Sequence, residues 1–144
     1  MVPLPDKSRL IEDQDDDILL AMCLWGEARG EPTEGKIAVA HVVNNRRKRA
    51  GWFGANLRSV LLKPFQFSCF NRADPNRNKL LQPLVYDKPK VWEECYACAL
   101  AVMNQLAPDP TKGATHYFAG RMPVWALEMA PLCEIGHHKF YKED

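Results

Sequence analysis

The segment Leu24-Trp25-Gly26-Glu27-Ala28-Arg29-Gly30-Glu31-Pro32 holds the residues best suited to chemistry. A glycosidase needs a carboxylic acid that stays protonated near neutral pH, so that it can donate to the leaving oxygen. Burial beside an aromatic ring favours that state. Glu27 follows an apolar run and lies close to Trp25 in the chain. The alternative is an ordinary surface glutamate paired with Arg29 or Lys36. Glu31 is the second carboxylate. On a continuous helix it would lie one turn from Glu27, but Pro32 pushes it toward an extended backbone. Carboxyl groups about 5–5.5 Å apart would make Glu31 a nucleophile, and groups about 6.5–9.5 Å apart a base acting through water. Capping or a structural pair is the third option, and spacing alone does not choose among them.

Other reactive residue types are weaker signals. Cys95-x-x-Cys98 has metal or redox spacing, but it sits within an amphipathic pattern and lacks two further ligands at recognisable spacing. No metal site and no cofactor is expected. His116, His137 and His138 are candidates for proton transfer or sugar contacts, or for single structural hydrogen bonds. Arg46-Arg47-Lys48-Arg49 falls at a helix C-terminus, where cations offset the dipole; the same run would favour approach to anionic polymers. No phosphate loop, nucleophile elbow or zinc-protease motif is present.

These residues need elements to position them. A first helix is expected to start near Asp15 to Asp17, where acidic residues suit the positive end of the dipole. Gly26 and Gly30 weaken it around Glu27, and a glycine there can mark the close approach of a ligand or a neighbouring backbone. Pro32 suits a helix start, and the second helix, Pro32 to Ala50, is apolar nearly all round and therefore central. A short helix is expected over Asn56 to Leu62. Phe65 to Phe70 alternates aromatic and polar residues, the pattern of a short strand. Asn71 to Pro89 reads as a long loop. A helix over Lys90 to Leu106 follows from apolar spacing of three and four, and Thr115–Phe118 and His138–Tyr141 are expected to be short strands. The fold class is α+β, mostly helical, with a small antiparallel sheet.

The chain has 144 residues, 47% of them hydrophobic, 26% charged and with a formal net charge of +1. That length suits one domain with a real core. We divide it into residues 1–15 as an N-terminal extension and 16–144 as the functional domain. The charge is too small to imply a nucleic-acid partner, and no run approaches the roughly 18 apolar residues of a membrane span. The N-terminus lacks the apolar stretch of a secretory signal, so synthesis in the cytoplasm is expected. Five cysteines do not form an even disulfide framework.

The run from Leu20 to Arg46, with its Gly-Glu-Ala-Arg-Gly-Glu core and its Asn45-Arg46 end, resembles the SleB-type cell wall hydrolases, a family of spore-cortex-lytic enzymes and related phage lysis proteins. Gln66-Phe67-Ser68, Asp109 to Tyr117 and Ile135 to Tyr141 resemble its later segments, in order. The resemblance spans about residues 18 to 142. It implies a lysozyme-like fold and a single domain that cleaves peptidoglycan glycan strands between N-acetylmuramic acid and N-acetylglucosamine. It assigns the catalytic acid/base to Glu27 and implies a lytic transglycosylase, in which the muramic C6 hydroxyl attacks C1 and leaves a 1,6-anhydro end. By position, Glu31, Gln66, Phe67, Ser68, Tyr117 and His138 become the substrate-binding candidates. A phage endolysin, monomeric, not inserted in a membrane and released through a holin-type pore, fits the absent signal. A hydrolytic lysozyme, a peptidoglycan amidase and a non-catalytic glycan-binding virion protein are the competing readings. Cys69 and Cys133 are a possible pair after release into an oxidising space.

Overall fold

A computed structural model describes residues 2–49 and 51–143. The core is built on three helices. Helix α1, Asp16–Ala28, is buried from Ile18 through Trp25. A helix that is apolar on every side belongs inside, and α5, Pro89–Met103, packs along it through Trp92, Cys95, Tyr96, Ala99 and Val102. Helix α2, Thr33–Arg49, is the central one, buried from Ala38 to Val43. It starts just after Pro32, and the expected last residue, Ala50, lies outside the described residues.

Short elements close the rest. Helix α3, Leu57–Leu62, begins on a capping box in which Asn56 and Ser59 satisfy each other's free amides. The expected strand over Phe65–Phe70 is not formed. Phe65 takes a positive φ of 65° and is 83% exposed, and Ser68–Phe70 is a 3-10 turn. The aromatic alternation there reflects one turn against the core, with Phe67 and Phe70 inward, rather than a pleated face. The stretch expected as a loop carries a 3-10 turn, Arg77–Lys79, and a one-turn helix α4, Pro83–Tyr86.

The sheet has order β1-β3-β2 and is antiparallel throughout. Its strands are β1, His116–Ala119, β2, Cys133–Ile135, and β3, His138–Tyr141. Strand β2 was not expected. Tyr117 pairs with Phe140 and Ala119 with His138, so Tyr117, His138 and Phe140 share one face. His116, Phe118 and Tyr141 share the other, under Trp125.

Residues 2–15, within the segment set apart above as an extension, are docked on the domain. Trp92 donates its indole N–H to the Pro3 carbonyl at 2.9 Å. Buried Gln14 bonds to Asp6, and Arg58 donates to the carbonyls of Glu12 and Gln14. No described helix is long and apolar enough to cross a membrane.

Candidate active site

Glu27 sits in the last turn of α1, half-buried, and both of its oxygens accept from hydroxyl groups. Tyr117 donates at 2.9 Å and Ser68 at 3.1 Å. Three separate elements therefore meet at one carboxylate. The approach of the Ser68 segment depends on Gly26, since a Cβ there would stand 2.5 Å from the Cys69 Cβ and 2.8 Å from its Sγ. The glycine beside Glu27 thus marks a close neighbour, and that neighbour is the chain itself. Tyr117 is held above the ordinary tyrosine range by burial and by the adjacent Glu27 carboxylate, so it remains a donor at all ordinary pH values.

The aromatic ring expected beside Glu27 was Trp25. Instead Trp25 is fully buried, turned into the core, with Arg29 stacked on it at 4.1 Å. Arg29 pairs weakly with Asp87 and donates to the Trp25 carbonyl, and Lys36 pairs with Glu94 and with the Glu31 carbonyl. Neither cation takes Glu27, so the surface-pair alternative for Glu27 is not what the structure forms.

Glu31 is 9% exposed and committed elsewhere. It accepts from the His137 amide at 2.7 Å, and His137 Nδ1 stands 2.7 Å from its other oxygen. Gly136 makes the room, with φ at +58° and no space for a Cβ against Glu31 and Pro32. Burial works to raise the Glu31 carboxyl, but the His137 bonds and the two imidazoles outweigh it and leave it below its ordinary value. Proposed above as a substrate contact, Glu31 instead pins the β2–β3 turn to the α1–α2 corner.

The remaining candidates divide. Ser68 is exposed beside Glu27 and Tyr117 is on it. Phe67 is corrected: at 1% exposure it is a core ring under the Arg46 guanidinium, 4.9 Å away, and lines no surface. Gln66 is half-buried and accepts from Arg46 at 3.4 Å. His138 is 5% exposed, edge-on to Tyr117 at 4.9 Å, and its Nδ1 lies 3.4 Å from Glu31 without a hydrogen bond. Burial lowers its imidazole below the ordinary value, against the pull of Glu31 and Glu27. His138 therefore backs Tyr117 from inside. His116 lies on the far face of the sheet against Phe53 and Trp125.

Sequence reasoning missed Asn45 and Arg46 as builders of the site. Arg46 was counted among the dipole-offsetting cations, but it is buried and donates to the Thr115 carbonyl at 2.7 Å, fixing the entry to β1. Asn45 donates to Asp109 and to the Ala114 carbonyl, both at 2.9 Å. The Asn45-Arg46 pair at the end of the resembling block was the available signal. Cys69 is also corrected as a partner for Cys133: its neighbour is Cys23, and Cys133 contacts the Pro110 carbonyl. Cys95 and Cys98 lie buried on α5. Among the described residues no three His, Cys, Asp or Glu side chains are grouped to hold a metal. A cavity of about 740 Å³ between Lys63, Phe65, Arg72 and Arg77 does not include Glu27 in its lining.

The arrangement offers one solvent-reached carboxylate with two hydroxyls on it and, among the described residues, no cation pairing it. Comparison with known proteins gives it a context. Residues 30–141 match the family model described as Cell Wall Hydrolase; the match begins just past Glu27. The spore cortex-lytic enzyme of Halalkalibacterium halodurans is 33% identical over 129 residues, 88% of this chain and 34% of that enzyme. The chain thus spans about a third of that relative's length. The catalytic domain of the Bacillus cereus SleB protein superposes with a TM-score of 0.69 at 26% identity, covering 96% of this chain and 95% of that one. The catalytic domain of the germination-specific lytic transglycosylase SleB from Bacillus anthracis gives 0.69 at 25% identity, covering 96% and 100%. The mostly helical, lysozyme-like α+β class expected from sequence is the fold found. By family match, identity and structure together, this chain belongs to the cell wall hydrolase family.

Proposed function

We propose that the domain is a peptidoglycan lytic transglycosylase that cleaves between N-acetylmuramic acid and N-acetylglucosamine. The observation that supports this most is the contrast in commitments: among the described residues Glu27 is bonded only to hydroxyls, and it is reached from solvent, whereas Glu31 is occupied by His137. A mechanism needing one free carboxylate suits such a site. In it, protonated Glu27 donates to the glycosidic oxygen and the C1–O bond breaks. The muramic C6 hydroxyl then attacks C1, and its proton passes to the Glu27 carboxylate. A 1,6-anhydro ring is left and no water is consumed. The internal nucleophile gains from proximity, and Glu27 supplies general acid and then general base catalysis. Ser68 and Tyr117 are each both donor and acceptor, so the hydroxyls can follow the proton as it leaves and returns.

Digestion of purified peptidoglycan with mass spectrometry of the products is the test, run with the parent and Glu27→Gln. Anhydro-muramic ends that vanish in the variant carry the proposal. Reducing muramic ends would convert it to a hydrolytic lysozyme, and cleavage at an amide bond would overturn it.

We further propose that the domain acts as a monomeric phage endolysin in host lysis, made in the host cytoplasm and released through a holin pore. This rests on the sequence resemblance to phage lysis proteins. Expression in bacteria with and without a holin would test it: lysis that needs no holin would rule that route out.

A further inference from the structure

Cys23 lies one helical turn before Glu27 on α1, and Cys69 directly follows Ser68 in the segment that reaches Glu27. Both thiols are fully buried, and each weighs on the other's titration as a near neighbour. The backbones are pressed together at this point, as the absent side chain of Gly26 shows: a Cβ there would meet Cys69 at 2.5 Å. Nothing in the proposed reaction uses either sulfur. Residues three apart on a helix share a face, so Cys69, seated on Gly26, also faces Cys23 one turn away on α1, the kind of approach a disulfide needs. We infer that Cys23 and Cys69 are a modification site: they close to a disulfide when the protein meets an oxidant of the disulfide class, and so fasten the Ser68 segment to the helix that carries Glu27.

The step balances as two exchanges. One cysteine thiolate attacks a sulfur of the oxidant, forms a mixed disulfide and expels one thiolate. The second cysteine thiolate attacks the mixed disulfide, forms the Cys23–Cys69 bond and expels the other. Two protein thiols lose two electrons and two protons, and the oxidant becomes two thiols. Burial and the neighbouring Cys69 hold the Cys23 thiol well above its ordinary value. The Cys69 thiol is pulled down by the neighbouring Cys23, but burial and the nearby Glu27 leave it raised as well. Folded protein therefore reacts slowly, and closure belongs to folding or to a lifting of the Ser68 segment. A reducing cytoplasm keeps the pair open and an oxidising wall space closes it.

The test is refolding in a mixture of oxidised and reduced glutathione, and separately in dithiothreitol, followed by alkylation in denaturant and peptide mass spectrometry. The glutathione sample is expected to lose two alkylatable thiols out of five, to yield a linked Cys23/Cys69 peptide pair, and to melt about 5–10 °C above the reduced sample. That difference in melting should vanish in Cys23→Ala and in Cys69→Ala, two separate variants so that a folding failure of one leaves the other. Five free thiols, a Cys69–Cys133 link, or a linked pair with no rise in melting would each overturn the inference. None of these readings depends on glycan cleavage, so failure here is distinct from failure of the proposed function.

Discussion

Glu27 lies in the last turn of α1 and Glu31 in the corner before α2, four residues further along the chain, yet their surroundings differ in kind. Glu27 is half-buried with two hydroxyls on its oxygens. Glu31 is buried, with a backbone amide and an imidazole on its oxygens. Hydroxyls accept as readily as they donate, so a carboxyl among them can change its proton without losing partners. A buried carboxylate that fixes an amide and an imidazole cannot, because each change leaves a polar group unpaired. The difference shows that residue type and spacing do not separate a working carboxylate from a structural one; the partners do.

The sharpest way to break this comparison is Glu27→Gln. Loss of the acid/base should cost about 10³-fold in peptidoglycan cleavage, with the melting temperature moved by no more than about 2 °C. Comparable losses of stability and activity would place Glu27 with Glu31. Next is Glu31→Ala, which should cost about 2–3 kcal/mol in denaturant unfolding and leave cleavage by the folded fraction within about tenfold. A catalytic collapse with full stability would reverse the roles.

The acid side of the stability profile sharpens the same point. The Glu31 carboxyl is held below its ordinary value of 4.5, so the unfolded chain takes up that proton first as pH falls. The stability it lends is complete above about pH 4.5 and drains away as pH drops through the lower folded value. His138, held below 6.5, acts in the same direction: its share is complete above about pH 6.5 and declines below it. Glu31→Gln should therefore flatten the melting-temperature profile below pH 4.5, and an unchanged slope would refute the assignment. Tyr117→Phe should lower the rate about tenfold with stability reduced by about 1 kcal/mol. Ser68→Ala is the smallest effect, about threefold, since an exposed hydroxyl is replaced by water at little loss.

Some of this was readable from sequence because it is local. The three- and four-residue spacing from Val91 to Val102 gave α5, and the all-round apolar run from Ile37 to Val43 gave a central α2. Strand β2 was not readable, since Cys133-Glu134-Ile135 is three residues of mixed type and exists only through β3. The Phe65–Phe70 segment misled because alternation over so few residues also fits a turn with inward rings. Glu27 stood out through its block, but Ser68 and Tyr117 as its partners depend on contacts 41 and 90 residues away in sequence. The bond from Glu31 to His137 spans 106 residues, and no periodicity reports that.

Strand β3 comes last in the chain but stands in the middle of the sheet. Until a ribosome has passed residue 141, neither β1 nor β2 has its neighbour, and Tyr117 has no strand to hold it over Glu27. Every shorter nascent chain lacks the assembled site. The order of synthesis thus leaves the site until last: Glu27 and Tyr117 are brought together in the finished sheet only once β3 has been translated.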